Sequence, residues 1–135
     1  LMGADSITRD VKIKGAIFHS DKWRISEVLR NLISNAIKYM NPEIDNPYIN
    51  IDINVTEEKA IIDFSDNGIG ISEELLPRIF EMFYRATEYS EGSGIGLYIV
   101  KNAILKMDGS IDLTSKPYEG TSFHIEIPNN YVPQQ

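Results

Sequence analysis

The strongest constraint on the fold is a helical stripe in the first third of the chain. Ile25, Val28, Leu29, Leu32, Ile33, Ala36, Ile37 and Met40 recur at alternating steps of three and one, the period of an amphipathic helix lying on a core. With Asp21 or Ser20 as its cap, the helix is expected from about Lys22 to Met40, ended by Asn41-Pro42. At about 100° per residue, Glu27, Asn31, Asn35 and Lys38 form a second, polar stripe along one flank of the apolar face. Asparagine is a mediocre helix former that competes for backbone hydrogen bonds. Two of them four residues apart, with a lysine one turn on, suggest a site; a solvated flank is the plain alternative.

The remaining elements are shorter. Val11, Ile13 and Gly15 alternate with Lys12 and Lys14, a short strand leading to Phe18. Ile49, Ile51, Ile53 and Val55 alternate with Asn50, Asp52 and Asn54, and Glu57-Glu58-Lys59 turns this strand back into Ala60 to Ser65. Ser72 is a good N-cap, with Glu73 and Glu74 in the first turn of a second helix. Thr87 to Gly94 is polar and small, a candidate mobile loop. Leu97, Val100, Ala103, Ile104 and Met107 mark a third helix, closed by Asp108-Gly109. Ile111 and Leu113, then Phe123, Ile125 and Ile127, mark two final strands. This order suggests a layered sheet with helices on one face.

Composition narrows the classes. At 135 residues, 42% hydrophobic and 24% charged, the chain fits one compact domain with a real core. Residues 1–9 read as an edge or linker segment, with the natural chain expected to be longer. A formal charge of −7 argues against a nucleic-acid or anionic-membrane surface. The absence of cysteine excludes disulfides and thiolate metal sites. No apolar run approaches the roughly 18 residues of a membrane span, and no signal-peptide pattern opens the chain.

The chemistry lies in four stretches. Mg²⁺ takes oxygen ligands in tight octahedral geometry and keeps several waters, so one neutral Asn oxygen plus phosphate oxygens suits it. Asn35 can supply that oxygen, and Lys38 a point charge for phosphate. In Asp66-Asn67-Gly68-Ile69-Gly70 the glycines permit sharp turns and close approach of a flat ligand. A buried Asp66 carboxylate can accept a hydrogen bond from the amino group of adenine, where guanine presents an oxygen. In Gly92-Ser93-Gly94-Ile95-Gly96-Leu97 the glycines run straight into a helix, whose free N–H groups and roughly half an elementary charge favour a phosphate. Taken singly, each glycine pattern reads equally well as a turn or a linker. Phe80, Phe83 and Tyr84 read as a helix end on the core, while Arg85 abuts the polar loop.

Together and in this order, these stretches resemble the catalytic ATP-binding domain of sensor histidine kinases. NLISNAIKY resembles that family's N box, DNGIGI its G1 box, IFEMFYRAT its F box and GSGIGLYIV its G2 box. Gly120-Thr121 and the segment to Pro128 resemble the closing G3 segment. The resemblance spans about Asp21 to Pro128. It implies a two-layer α/β (α+β) sandwich of the Bergerat ATP-binding type, with a mixed sheet of about five strands and three helices on one face. By position it implies Asn35 as the Mg²⁺ ligand with Asn31 in support, Lys38 and Arg85 on the phosphates, and Tyr39 against adenine or ribose. Asp66 would read the adenine amino group, helped by Thr121 and water; Gly68 and Gly70 would admit the base. Gly92, Gly94 and Gly96, with Leu97 behind them, would frame the phosphate end of a lid.

The resemblance also implies partners: a histidine-bearing dimerisation domain of the same protein, then a response regulator. The parent is expected to be a homodimer working in the cytoplasm, either free or anchored to a membrane. The acceptor hairpin is absent from this stretch, and His19 and His124 read as ordinary structural histidines, so the domain alone is not self-sufficient. Two other readings are a hydrolytic ATPase of the same superfamily (or an anti-sigma-type serine kinase) and a non-enzymatic nucleotide-sensing module. The first is disfavoured because such families carry a catalytic glutamate four residues before the metal-binding asparagine. Here that position is Asn31, a neutral amide that cannot act as a general base.

Overall fold

Asp21 starts the long helix as expected: its carboxylate accepts the N–H groups of Trp23 at 3.0 Å and Arg24 at 3.1 Å, a cap worth about 1 kcal/mol, and also pairs with the Arg24 guanidinium. In a computed structural model describing residues 7–81 and 96–132, the elements run β1 (Thr8–Gly15), α1 (Lys22–Lys38), β2 (Tyr48–Val55) and β3 (Lys59–Asp66), then a 3-10 helix (Glu73–Arg78), α2 (Gly96–Lys106), β4 (Ser110–Lys116) and β5 (Gly120–Pro128). The strands make one sheet in the order β1-β2-β3-β5-β4. β1 is parallel to β2 and every other pairing is antiparallel. The result is the mixed five-stranded, two-layer α/β sandwich expected from the sequence.

Register explains the core. Side chains directly across neighbouring strands share a face. One lateral row runs Ile53, Ile62, Ile125, Ile111, and the next Ile51, Phe64, Phe123, Leu113. Onto this face α1 lays Val28, Leu32 and Ala36, and α2 lays Leu97, Val100, Ala103 and Ile104. Leu32, Val100, Ile104, Ile125 and Ile127 are wholly buried, each such side chain contributing roughly 1.5–3 kcal/mol from burial. Among the described residues no helix is long and apolar enough to cross a membrane.

Two local expectations need correction. The second helix is a single 3-10 segment, and the Ser72 side chain makes no cap bond; its carbonyl instead accepts the Leu75 N–H at 3.0 Å. Pro77 lies inside that segment, supplying no N–H and crowding the carbonyl four residues back, so the winding stays tight and short. β1 runs a full eight residues and is exposed throughout, because Val11 and Ile13 extend the apolar rows to a sheet edge that the described helices leave uncovered. The expected close of α2 at Asp108-Gly109 is present: Asp108, at φ 59, takes the left-handed turn, and the Gly109 N–H bonds to the Ile104 carbonyl at 2.9 Å.

The opposite face of the sheet is polar. Its central row is Asp52, Asp63, His124, Asp112. His124 Nδ1 is 2.6 Å from Asp63 and Nε2 is 2.8 Å from Glu126, whose other oxygen is 2.6 Å from Lys59 Nζ. Carboxylates only accept, so holding both bonds at once requires both ring nitrogens to donate, which only the protonated ring can do. The bonds to Glu126 and then Asp63 hold His124 above its ordinary 6.5. A raised folded-state value stabilises fully below the ordinary value and is lost as pH rises through the raised one. Thermal unfolding followed from mildly acidic to alkaline pH should therefore show a small fall in Tm across that window, small because the groups are solvent-exposed. His124→Gln should abolish that fall; equal slopes in both proteins would remove the network from any role in stability.

Candidate functional site

The row beyond Ile51 and Phe64 changes character. Ile49 faces Asp66, Asp66 faces Thr121, and Thr121 faces Ser115, so the alternation that builds the core also carries three polar side chains onto the helix-covered face. Ser115 and Thr121 are buried. The Asp66 carboxylate accepts the Gly68 N–H at 2.8 Å and also the Thr121 N–H. Burial pushes this carboxyl above its ordinary 3.8, and those two donors pull it back.

The segment after β3 is clamped from three sides. The Ile69 N–H donates to the Tyr39 carbonyl at the end of α1, at 2.9 Å. The Tyr118 N–H, in the β4–β5 turn, donates to the Ile69 carbonyl at 2.6 Å. Asn67 accepts the Tyr48 N–H at 2.8 Å and donates to the Asn46 carbonyl at 3.0 Å, tying the loop to the start of β2. Gly68 and Gly70 are required by these contacts. A Cβ on Gly68 would lie 2.5 Å from the Tyr39 oxygen, and one on Gly70, at φ 70, would lie 2.0 Å from the Lys116 oxygen.

α1 delivers the other polar set. Asn31, Asn35 and Tyr39 are half-buried and Lys38 is exposed. Asn31 Nδ2 donates back to the Glu27 carbonyl at 2.7 Å, which fixes the amide; a Cβ on Gly96 would come within 3.3 Å of its Oδ1. The start of α2 therefore lies beside Asn31, and Leu97 behind it is buried in the core. Among the described residues the Asn35 side chain makes no hydrogen bond. From Asn31 a groove of about 810 Å³ continues along the helix pair past Trp23, Arg30 and Lys106. Arg85, Gly92 and Gly94, and the loop from Thr87 to Gly94, lie outside the described residues.

The structure thus brings Asp66, Gly68, Gly70 and Thr121 together around one clamped turn, next to Tyr39 at the end of the helix that bears Asn31, Asn35 and Lys38. Sequence reasoning missed Ser115, Asn67 and the Tyr39 carbonyl. A serine inside a strand and a backbone oxygen give no pattern to find; Asn67, beside Asp66 in a turn motif, did.

Residues 20–131 match the family of histidine kinase-, DNA gyrase B-, and HSP90-like ATPases, and the chain belongs to that family. Over 116 residues it is 37% identical to the autoinducer 2 sensor kinase/phosphatase LuxQ of Vibrio vulnificus, covering 82% of this chain and 14% of that protein. Over 119 residues it is 38% identical to the sensor protein SrrB of Staphylococcus aureus, covering 85% of this chain and 20% of that protein. The chain therefore spans a fifth or less of the length of these relatives. It superposes on the catalytic domain of histidine kinase ThkA with a TM-score of 0.71 at 28% identity, over 90% of this chain and 80% of that one. The mycobacterial sensor histidine kinase MprB shares the fold, with a TM-score of 0.79 at 24% identity over 96% and 88%.

Gly70→Ala should cost more than about 1 kcal/mol, since alanine is strained at positive φ and its methyl meets backbone. Denaturant midpoints of the two proteins measure this; equal midpoints would show that the turn relaxes at no cost.

Proposed function

We propose that this chain is the catalytic ATP-binding domain of a sensor histidine kinase, one domain across residues 1–135. In this reading it binds Mg-ATP and passes the γ-phosphoryl group to a histidine on a separate dimerising hairpin of a homodimeric, cytoplasm-facing parent, with a response regulator downstream. The observation that carries it is the half-buried Asp66 carboxylate, held by two backbone donors at a glycine turn on the end of α1 that bears the asparagine flank. An acceptor withdrawn from water selects a base edge bearing a donor, as the adenine amino group does, because a mismatched partner leaves a polar group unsatisfied. Thr121 stands beside it, Gly68 and Gly70 permit the tight turn that presents it, and Tyr39 closes the end of α1 against that turn. Asn35 would hold the metal through its amide oxygen with Asn31 alongside, and Lys38 and Arg85 would meet phosphates. Gly92, Gly94 and Gly96 would close the phosphate end, with Leu97 anchoring α2. The residues fit Mg²⁺, which when bound with phosphate would offset the charge of the triphosphate.

Transfer is favoured over hydrolysis by Asn31. Its amide is committed to the helix backbone and takes no proton from water, whereas an attacking imidazole is itself the nucleophile. A positioned general base is worth about 10²–10⁴ in rate. With radiolabelled ATP, the domain alone should turn over very slowly and leave His19 and His124 unlabelled; added to the acceptor hairpin of its parent kinase, it should yield acid-labile phosphohistidine there. Steady hydrolysis by the lone domain above roughly one per second, ordinary for phosphoryl-transfer enzymes, would identify a hydrolytic ATPase instead.

The metal assignment has its own check. Calorimetry with and without Mg²⁺ should show a metal-dependent gain in ATP affinity that Asn35→Ala removes. Identical metal dependence in both proteins would take Asn35 out of its role.

A further inference from the structure

Ser115 Oγ lies within hydrogen-bond distance of three groups: the Ile71 N–H at 2.8 Å, the Gly120 carbonyl at 2.9 Å and Thr121 Oγ1 at 2.9 Å. Counting protons decides the direction of each bond. A hydroxyl offers one proton and two lone pairs. The Ile71 N–H can only donate and the Gly120 carbonyl can only accept, so the Ser115 proton goes to Gly120. One Ser115 lone pair then takes Ile71, and the other takes Thr121, whose hydroxyl must be the donor. The Thr121 proton is thus committed inside the wall, and its Oγ1 keeps lone pairs alone. Beside it, the Asp66 carboxylate is likewise an acceptor, already holding the Gly68 N–H.

We infer that Ser115 is a positioning residue for base selection: it makes Thr121 an acceptor-only group, so that Asp66 and Thr121 together face a purine 6-amino group and reject a 6-oxo group. The inference rests on the reading of Asp66 as the adenine-facing carboxylate and adds the residue that sets the polarity of its neighbour. Ser115 acts through Thr121 and need not touch the base. Were the serine absent, the Thr121 hydroxyl would be free to turn and donate, which is what a 6-oxo purine requires.

The test is equilibrium binding of ATP, of inosine triphosphate, which has a 6-oxo group, and of purine riboside triphosphate, which has no group at that carbon. The wild type should prefer ATP to inosine triphosphate. Ser115→Ala should lower that preference roughly three- to tenfold, the worth of about one hydrogen bond, partly through a gain in inosine triphosphate affinity. A merely structural defect would weaken all three ligands and leave the ratio unmoved. Thr121→Val, with Ser115 intact, should weaken ATP by a similar factor and leave purine riboside triphosphate unchanged, and it decides the matter if Ser115→Ala does not fold. A preference for ATP that survives Ser115→Ala unchanged, or a Thr121→Val loss equal for ATP and purine riboside triphosphate, overturns the inference alone. Equal binding of ATP and inosine triphosphate by the wild type overturns the reading of Asp66 and this inference with it.

Discussion

A carboxylate drawn partly out of water is the constraint on which the rest of the site depends. Withdrawing a charge even partly from water is costly unless partners replace the lost hydration, and the surroundings of Asp66 meet that demand with backbone. For Gly68 to turn its N–H onto the carboxylate, the chain must reverse direction immediately after β3. That reversal runs against the Tyr39 carbonyl on one side and the Lys116 carbonyl on the other. The end of α1 and the β4–β5 turn are therefore as much part of the site as the residues that face it.

This coupling explains why one helix serves both core and site. The stripe of Val28, Leu32 and Ala36 seats α1 on the sheet, and that seat fixes where Tyr39 meets the turn and where the asparagine flank lies. Because close-packed interiors transmit displacement, the distance between the Asp66–Thr121 row and the asparagines is set by apolar packing. The polar face is of another kind. His124, Asp63, Glu126 and Lys59 are exposed enough to be screened, so they tune the pH response without specifying the fold.

Much of this was legible in the residue pattern, for identifiable reasons. The α1 stripe and the alternation in β2 and β5 are long enough for one period to dominate, and their apolar positions are all buried or half-buried in the structure. The extent of β1 was harder to read, because an edge strand exposed on both faces has no reason to keep its alternation over eight residues. Ser72 and the segment after it misled: a capping residue before two glutamates is a helix signal, but Pro77 limits that segment to a 3-10 turn. At the site, Asp66, Gly68 and Gly70 stood out as a motif, and their clamping by Asn67, Tyr39 and Ser115 did not. Asn67 sat within the motif, but the partners of all three are backbone groups or a single hydroxyl far away in sequence, for which composition and periodicity carry no signal.

The central claim is that an adenine base is read at the Asp66 carboxylate, and the most direct measurement is at the two N–H groups that hold it. In a titration of the isotope-labelled chain with Mg-ATP, followed by amide nuclear magnetic resonance, the Gly68 and Thr121 signals should shift saturably. Equal concentrations of the guanine nucleotide should leave them near their starting positions. Shifts confined to the groove by Trp23, Arg30 and Lys106, or equal displacement of Gly68 and Thr121 by both nucleotides, would contradict base reading at Asp66.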